Sequence, residues 1–375
     1  MPPHFIKIYI LLSKLKHMPI NTLLFLIGLL NLFGGLLSVF SWFFVRKNYK
    51  NKKINRRNEK VSVIIPCKGS ANLLNFGKQN YSNYEVIVVV DSEEERENLK
   101  EIYGNFLFVI SKENSVSGKN AALLTGLKYA SGDVIVFADA DIIPHENWLS
   151  YLVSYLNNNA VTSYRWYFRS PMLCVWNASI ASVLFYKKFN FCWGGSTAIR
   201  KNLLEEIEIE KIWEKEMVDD LTLTKTLKER GIEIEFIPQA ISESIEEENK
   251  IEWMNKQFLW VKEYFPSLWT IAIFFNFGMR ISNVLGIVYI FIEPLTGILL
   301  LSSLLFDFLR GWQEYYTFSS LMNYPKDKFL HPSYHILLRP AVSFIILYNL
   351  LSSIFIKEVE WKGRKYLFKY KKIKQ

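Results

Sequence analysis

The sequence predicts an α/β domain, a doubly wound and mostly parallel sheet, inserted between membrane-spanning helices. Three observations lead there. Residues 22–45 run without a charge for longer than the roughly 20 residues a bilayer-crossing helix needs. Long apolar runs return at 284–306 and 341–356. Between them lies a polar stretch, from about residue 58 to 262, in which short apolar runs alternate with helical spacing.

The strands come in order. Residues 61–66 (VSVIIP) form an apolar run stopped by proline, 84–90 (YEVIVVV) a second ending at Asp91, 105–110 (NFLFVI) a third, and 134–138 (VIVFA) a fourth ending at Asp139. Residues 119–129 have helical spacing, with Leu123, Leu124 and Leu127 on the inner face. Beyond residue 141 the pattern loosens. Residues 148–156 predict a helix, Gly194-Gly195 a turn, 221–230 a helix ended by Gly231, and 232–237 a strand.

Charge placement sets the topology expected. Of a net charge of +9, eight Lys/Arg fall between Arg46 and Lys60 and eight more between Lys357 and Lys374, whereas residues 311–335 hold only Lys326 and Lys328. The positive-inside rule then puts the globular domain and C-terminus in the cytoplasm, at the cell membrane, and residues 311–335 outside. Basic runs that flank spans serve topology and anionic lipid, so no nucleic-acid partner is predicted. The division expected is 1–57 with a span at about 22–45, a soluble domain at 58–262, and 263–375 with spans at about 284–308 and 336–356. Residues 267–279, apolar but short, predict a helix lying in the interface. Lys7, Lys14 and Lys16 without a small-residue cleavage site predict a retained anchor rather than a removed leader. Cys67, Cys174 and Cys192 have no metal-ligand spacing and suit a reduced compartment.

Asp139 and Asp141 carry the chemistry most plainly. In an open α/β sheet ligands gather beyond the carboxyl ends of the strands, and alternation turns residues 139 and 141 toward the same side. Two carboxylates so placed suit one hard divalent cation, Mg²⁺ or Mn²⁺, whose other ligands are water and substrate phosphate. An Asp-x-Asp by itself is more often a pair of surface acids at a strand end.

Further motifs follow in order: Asp91 in VVVDSEEE, Ser117-Gly-Lys119-Asn-Ala-Ala at a helix start, the Asp139/Asp141 pair, Glu216-Met-Val-Asp219-Asp220-Leu at another helix start, and Lys256-Gln-Phe-Leu-Trp260. This order resembles the family 2 glycosyltransferases, in their membrane-bound ceramide glucosyltransferase-like branch. The tail, residues 359–366 (VEWKGRKY), resembles the ending of that branch. The resemblance implies a GT-A-like fold and residue roles. Asp91 would hold the nucleotide, with Pro66 and Cys67 bordering the base. Lys119 would face the donor diphosphate. Asp139 and Asp141 would bind the metal, and Asp220, with Asp219 in support, would be the general base of an inverting transfer. Trp260 and the Gly194-Gly195 loop would line the acceptor pocket. The chain departs from the pattern at Lys256 and Leu259, where the family carries Gln/Arg and Arg. The activity implied is transfer from a nucleotide-diphosphate sugar, with UDP as the leading nucleotide, to a lipid acceptor. A processive polysaccharide synthase and an inactive membrane scaffold are the alternatives; three spans are few for the first, and the retained acids argue against the second.

Overall fold

The structure, a computed structural model, describes residues 19–50, 52–69, 71–112, 115–245, 250–361, 364–367 and 372–374. The first helix, α1 (Ile20–Tyr49), leads into the domain. Its first half alternates β1 (Val61–Pro66), β2 (Tyr84–Val90), α2 (Glu93–Ile102), β3 (Leu107–Ile110), α3 (Gly118–Tyr129) and β4 (Val134–Ala138). Then follow β5 (Ile142–Ile143), α4 (Trp148–Ser154), β6 (Ala160–Thr162), β7 (Arg165–Trp166), α5 (Pro171–Ala181), β8 (Ser196–Arg200), α6 (Lys201–Glu206), α7 (Ile209–Trp213), α8 (Asp219–Glu229), β9 (Ile234–Phe236) and β10 (Ser242–Ser244).

Seven strands form one sheet in the order β3-β2-β1-β4-β8-β6-β9. β1 lies parallel between β2 and β4, with Val61 opposite both Tyr84 and Val134, so these strands end along one edge. They are covered on both faces, which is why they read as unbroken apolar runs instead of alternating ones. Val63, Ile65, Val88 and Val136 enter one core, and Ile64, Ile87, Val89 and Ile135 the other. Gly126 lets α3 approach: a Cβ there would stand 2.4 Å from Ile64 Cγ2. β8 runs antiparallel to β4 with Ser196 opposite Ala138, which brings Gly194-Gly195 beside Asp139. A second, three-stranded sheet, β5-β10-β7, sits below that edge.

After the domain come α9 (Lys250–Tyr264), α10 (Pro266–Tyr289), α11 (Pro294–Leu321) and α12 (Pro332–Phe355), then a small sheet of β11 (Glu358–Trp361), β12 (Arg364–Leu367) and β13 (Lys372–Lys374). Among the described residues four helices, α1, α10, α11 and α12, are long and apolar enough to cross a membrane.

This divides the chain differently from the sequence expectation. The run expected to span at 284–308 is two helices. Pro294 disfavours helical backbone at the residue before it and suits the first helical turn, so Glu293 is extended (φ −144°, ψ 88°) and α11 begins anew. The interfacial helix expected at 267–279 is the first half of α10, which continues through Arg280. That charge does not end the helix because it is buried and paired with Asp307 Oδ2 of α11 at 2.9 Å. Residues 311–335, expected across the membrane, instead pack on the domain. The Phe318 ring packs at a tilt on Trp166, His335 stacks on the same ring at 5.9 Å, and Tyr324 Oη accepts from Glu243 N at 3.0 Å. α12 touches the domain too: Cys174 Sγ meets His335 Nε2 at 3.5 Å and Trp176 Nε1 donates to Asn349 Oδ1 at 3.1 Å, while Lys262 Nζ of α9 donates to Ser353 O at 2.8 Å. α1 and α11 run side by side in the same direction, Gly28 against Leu299 and Gly35 against Phe306. Residues 1–18 lie outside the described residues, as do Lys362 and Gly363 of the tail motif.

Candidate active site

A cavity of about 680 Å³ opens along the edge where β1, β2 and β4 end. Its first end is made by strand termini. Pro66, Cys67 and Lys68 follow β1, Asp91 follows β2, and Lys68 Nζ stands 3.3 Å from Asp91 Oδ2. The turn bearing Asp91 is fixed locally. Ser92 caps α2 by accepting from Glu95 N, and the Glu95 carboxylate accepts from Asp91 N at 3.0 Å and Gly69 N at 2.9 Å. Glu95 is thus part of that turn, while Asp91 faces the cavity.

The centre is a chain of charges. Lys119, in the first turn of α3, donates to Asp139 Oδ1 at 2.8 Å and lies 3.2 Å from Asp219 Oδ2. Burial, the largest influence on Lys119, works against its charge. Asp139, Asp219 and Asp220 together outweigh it and hold the ammonium protonated. Asp219 and Asp220, at the start of α8, both line the cavity, Asp219 the more deeply buried of the two. Asp220 Oδ2 accepts from Gly194 N at 3.3 Å and Oδ1 from Leu221 N at 2.7 Å. Burial, and after it the neighbouring Asp219, raise its pKa to about 7; Lys119 and the Gly194 N–H pull the other way. Gly194 and Gly195 stand just behind this row. A Cβ on Gly194 would lie 2.2 Å from Asp219 Oδ2, and one on Gly195 2.7 Å from Asp139 Oδ2. Only glycine lets this loop pass so close. The loop before α8 is tied to two other elements, since Asn120 Nδ2 donates to Glu216 O at 2.8 Å and Tyr264 Oη to Glu216 Oε2 at 3.1 Å.

The far end is aromatic and belongs to distant parts of the chain. Tyr164, Arg165, Ile180, Phe191, Trp193, Trp253, Gln257 and Trp260 line it. Trp260 packs with Met217, Val218, Leu259 and Val359, so the start of the C-terminal tail closes this wall. Leu259, where the resemblance calls for arginine, is fully buried in that cluster. Lys256 lines the cavity with Nζ 2.9 Å from Glu252 Oε1. The structure therefore gathers Pro66, Asp91, Lys119, Asp139, Asp141, Asp219, Asp220 and Trp260 around one space, with Gly194 and Gly195 behind it. Arg165, Trp253 and Gln257 were not picked out from sequence. A signal existed for the first: Arg165 is the one charge in the apolar and aromatic run 160–168.

Comparison with known proteins places this arrangement. Residues 62–207 match the family described as Glycosyl transferase family 2, and residues 173–373, more than half of the chain, match Glycosyl transferase family 21. The chain belongs to Glycosyl transferase family 21. Among curated members it is 28% identical over 232 residues to "Probable glycosyltransferase YdaM" of Bacillus subtilis (strain 168), covering 54% of each chain. It is 34% identical over 115 residues to glycosyltransferase AglE of Haloferax volcanii, covering 27% of this chain and 36% of that one. The chain thus spans about half, or less, of the length of these curated relatives. Among solved structures, the mannosyltransferase PcManGT from Pyrobaculum calidifontis, in complex with GDP-Man and Mn²⁺, is 16% identical with a TM-score of 0.47, covering 88% of this chain and 98% of that one. A glucosyl-3-phosphoglycerate synthase from Mycobacterium tuberculosis, with Mn²⁺ and UDP-Glc, is 14% identical with a TM-score of 0.38, covering 53% and 78%.

In this family 21 chain the mixed sheet with carboxylates beyond its parallel strands is GT-A-like. Asp139 and Asp141 fit a divalent cation by the chemistry of their donor set: hard carboxylate oxygens, one residue apart, facing a space large enough for substrate phosphates. Among the described residues no group of three or more His, Cys, Asp or Glu forms a metal site. An ion held here would take its remaining ligands from water and substrate.

Proposed function

We propose that the protein is an inverting glycosyltransferase that moves one sugar from a nucleotide-diphosphate sugar to a hydroxyl of a membrane lipid. One observation carries the reading. Asp220 reaches the cavity with its pKa raised to about 7, between an end built from strand-terminal acids and an end built from aromatic residues of the helix that leads into the membrane. A carboxylate tuned near neutrality suits a general base.

Asp91 and the Pro66-Cys67 turn hold the nucleoside. Lys119 shares its ammonium between Asp139 and Asp219 and keeps a third N–H for the diphosphate. Asp139 and Asp141 would hold Mg²⁺ or Mn²⁺, which when bound would supply Lewis-acid neutralisation of the departing diphosphate. As the acceptor oxygen bonds to the anomeric carbon and the bond to the diphosphate oxygen breaks, Asp220 takes the hydroxyl proton. Attack from the face opposite the leaving group inverts that carbon. Trp260 offers an aromatic face to the sugar or headgroup.

The contacts support one membrane arrangement. α12 and the start of the tail touch the domain, so in this reading α12 lies along its underside, its exposed Leu337, Phe344, Tyr348 and Phe355 turned to lipid. α1, α10 and α11 then cross the bilayer, and the basic flank after α1 places the domain in the cytoplasm. Three crossings keep the tail on the domain's side.

The test is thermal stabilisation of purified protein by a panel of nucleotide sugars, with Mn²⁺ or with chelator. At least one sugar nucleotide should stabilise the wild type in a metal-dependent way, and D139N/D141N should lose the response. No response to any member would overturn the reading.

A further inference from the structure

The turn at Tyr186-Lys187-Lys188-Phe189 exposes all four of its side chains and takes no part in the steps above. Its backbone is fixed. Phe189 N and Asn190 N both donate to Tyr186 O at 2.8 Å, and Lys228 Nζ of α8 donates to Lys188 O at 2.9 Å. The buried Asn190 ties the turn to β9, its Nδ2 donating to Ile234 O at 2.6 Å. Yet this rigid turn leaves Tyr186 36% and Phe189 45% exposed, with a lysine beside each. Aromatic rings next to lysines suit the edge of a bilayer, where the ring sits among the headgroups and the ammonium reaches the phosphates.

α1 gives the depth of the turn. Tyr186 Oη lies 2.8 Å from Ser41 Oγ, and Trp42 packs edge-on against Phe185 at 5.7 Å. Around Ser41 the helix exposes Phe40, Phe43 and Phe44; beyond them it exposes Arg46, Lys47 and Lys50. The change from apolar to basic therefore comes within five residues of the contact with Tyr186, about 7 Å along a helix axis. The interfacial layer on either side of a bilayer core has about that thickness.

Charge selects the lipid. Beside the turn a cleft of about 270 Å³ is lined by Lys187, Lys188 and Lys228, with Glu233 as its one acid. Glu233 accepts from Lys187 Nζ at 3.1 Å, but the two side chains are 67% and 63% exposed, and so open a pair binds weakly. Lys228 spends two of its N–H groups on Lys187 O and Lys188 O and keeps a third. The excess is cationic and continues the basic flank of α1, a field that attracts headgroups of net negative charge over zwitterionic ones.

We infer that residues 186–189, with Lys228, form a membrane-contact surface for anionic phospholipid in the leaflet facing the domain. The inference rests on α1 crossing the bilayer and not on sugar transfer. Phe191 and Trp193, which line the cavity, follow in the same segment, so this contact also sets the height of the cavity over the bilayer.

The test uses the full chain in lipid nanodiscs. Cys67, Cys174 and Cys192 are buried, so a fluorophore is directed to one added cysteine, in F189C, in F33C midway along α1, or in K100C on α2 at the opposite edge of the sheet. The quencher is phosphatidylglycerol or phosphatidylcholine, at equal amounts, with a nitroxide high on the acyl chain. F189C should be quenched, about fivefold more strongly by phosphatidylglycerol at low salt, the scale of one lysine at an anionic surface, and K100C should not. Adding K187Q/K188Q, which leaves the backbone bonds of the turn in place, should bring the ratio close to one at an unchanged melting temperature. An unquenched F189C, quenching of K100C to the same degree, equal quenching by the two lipids, or a ratio that survives K187Q/K188Q would each overturn the proposal. F33C left unquenched by a nitroxide deep in the acyl chain would overturn it for a separate reason, by showing that α1 lies outside the bilayer.

Discussion

The two ends of the cavity are built in different ways. At the nucleotide end, Pro66, Asp91 and Asp139 each follow a strand of the parallel half of the sheet, and their positions are set by β-ladder register and a local helix cap. At the acceptor end, Arg165, Trp193, Trp253, Trp260 and Val359 come from segments up to almost two hundred residues apart and meet only through tertiary packing. The first construction is a rigid edge whose donor set suits a diphosphate and a metal. The second shapes a pocket from elements that also touch the membrane helices, and can be altered without disturbing the sheet. Asp220 sits at the junction, bonded to the glycine loop that β8 carries to the end of β4.

Substitutions should separate the two ends. The largest effect is expected at the junction: D220N should lower turnover by about 10²-fold or more while leaving metal and nucleotide binding nearly intact, as loss of a general base does. Single-turnover kinetics beside calorimetry would check it. If D219N is the inactive variant and D220N is not, the base moves by one residue. The paired change D139N/D141N should remove metal-dependent nucleotide binding and spare lipid binding, a split opposite to that of Trp260→Ala. The latter should weaken transfer to lipid by about tenfold, from lost aromatic contact, with donor affinity unchanged.

The pH profile sharpens the same division. The pKa of Asp220 is raised to about 7, so the base is protonated, and inactive, below that value and ionised above it. The kcat/KM for the free enzyme should therefore fall as pH drops through about 7, with one proton per site, and the limb should vanish in the residual activity of D220N. A limb unchanged by the substitution would assign the titration to another group.

The smallest effects, on no rate at all, concern topology. Cysteines placed at Lys326 and at Glu358 should react with an impermeant reagent from the same side of the membrane as one at Asn58, and one at Ile292 from the other side. Labelling of Lys326→Cys together with Ile292→Cys would restore the arrangement expected from sequence.

The contrast between the ends also explains what the sequence disclosed. Strands buried on both faces leave unbroken apolar runs, so β1, β2 and β4 and the acids after them were plain to read. The Asp219-Asp220 helix start and the glycine turn were found, yet the sequence could not say that Lys119 would bridge Asp139 and Asp219. That contact joins residues a hundred apart. Arg165 stayed hidden because its partners lie on separate segments, and its one local mark, a lone charge in the run 160–168, does not say what it faces. The membrane helices were legible in part: the span expected at 336–356 lies within α12, which is long and apolar enough to cross. Hydropathy marks apolar length but not direction, so the break at Pro294 and the paired Arg280 were not read as such. The polar stripe of α12, with His335, Arg339, Ser343, Asn349 and Ser353 all buried, was present in the sequence, but the apolar average masked it.

The central claim is that this cavity transfers a single sugar to a membrane lipid. Purified protein, incubated with Mn²⁺, a radiolabelled nucleotide sugar that stabilises it and a total lipid extract, should yield label that partitions into organic solvent and chromatographs as a lipid bearing one or very few sugars, with none formed by D220N. A long water-soluble polymer would point to a processive synthase, and label remaining wholly in the starting nucleotide would point to a scaffold without activity; either result would contradict the account.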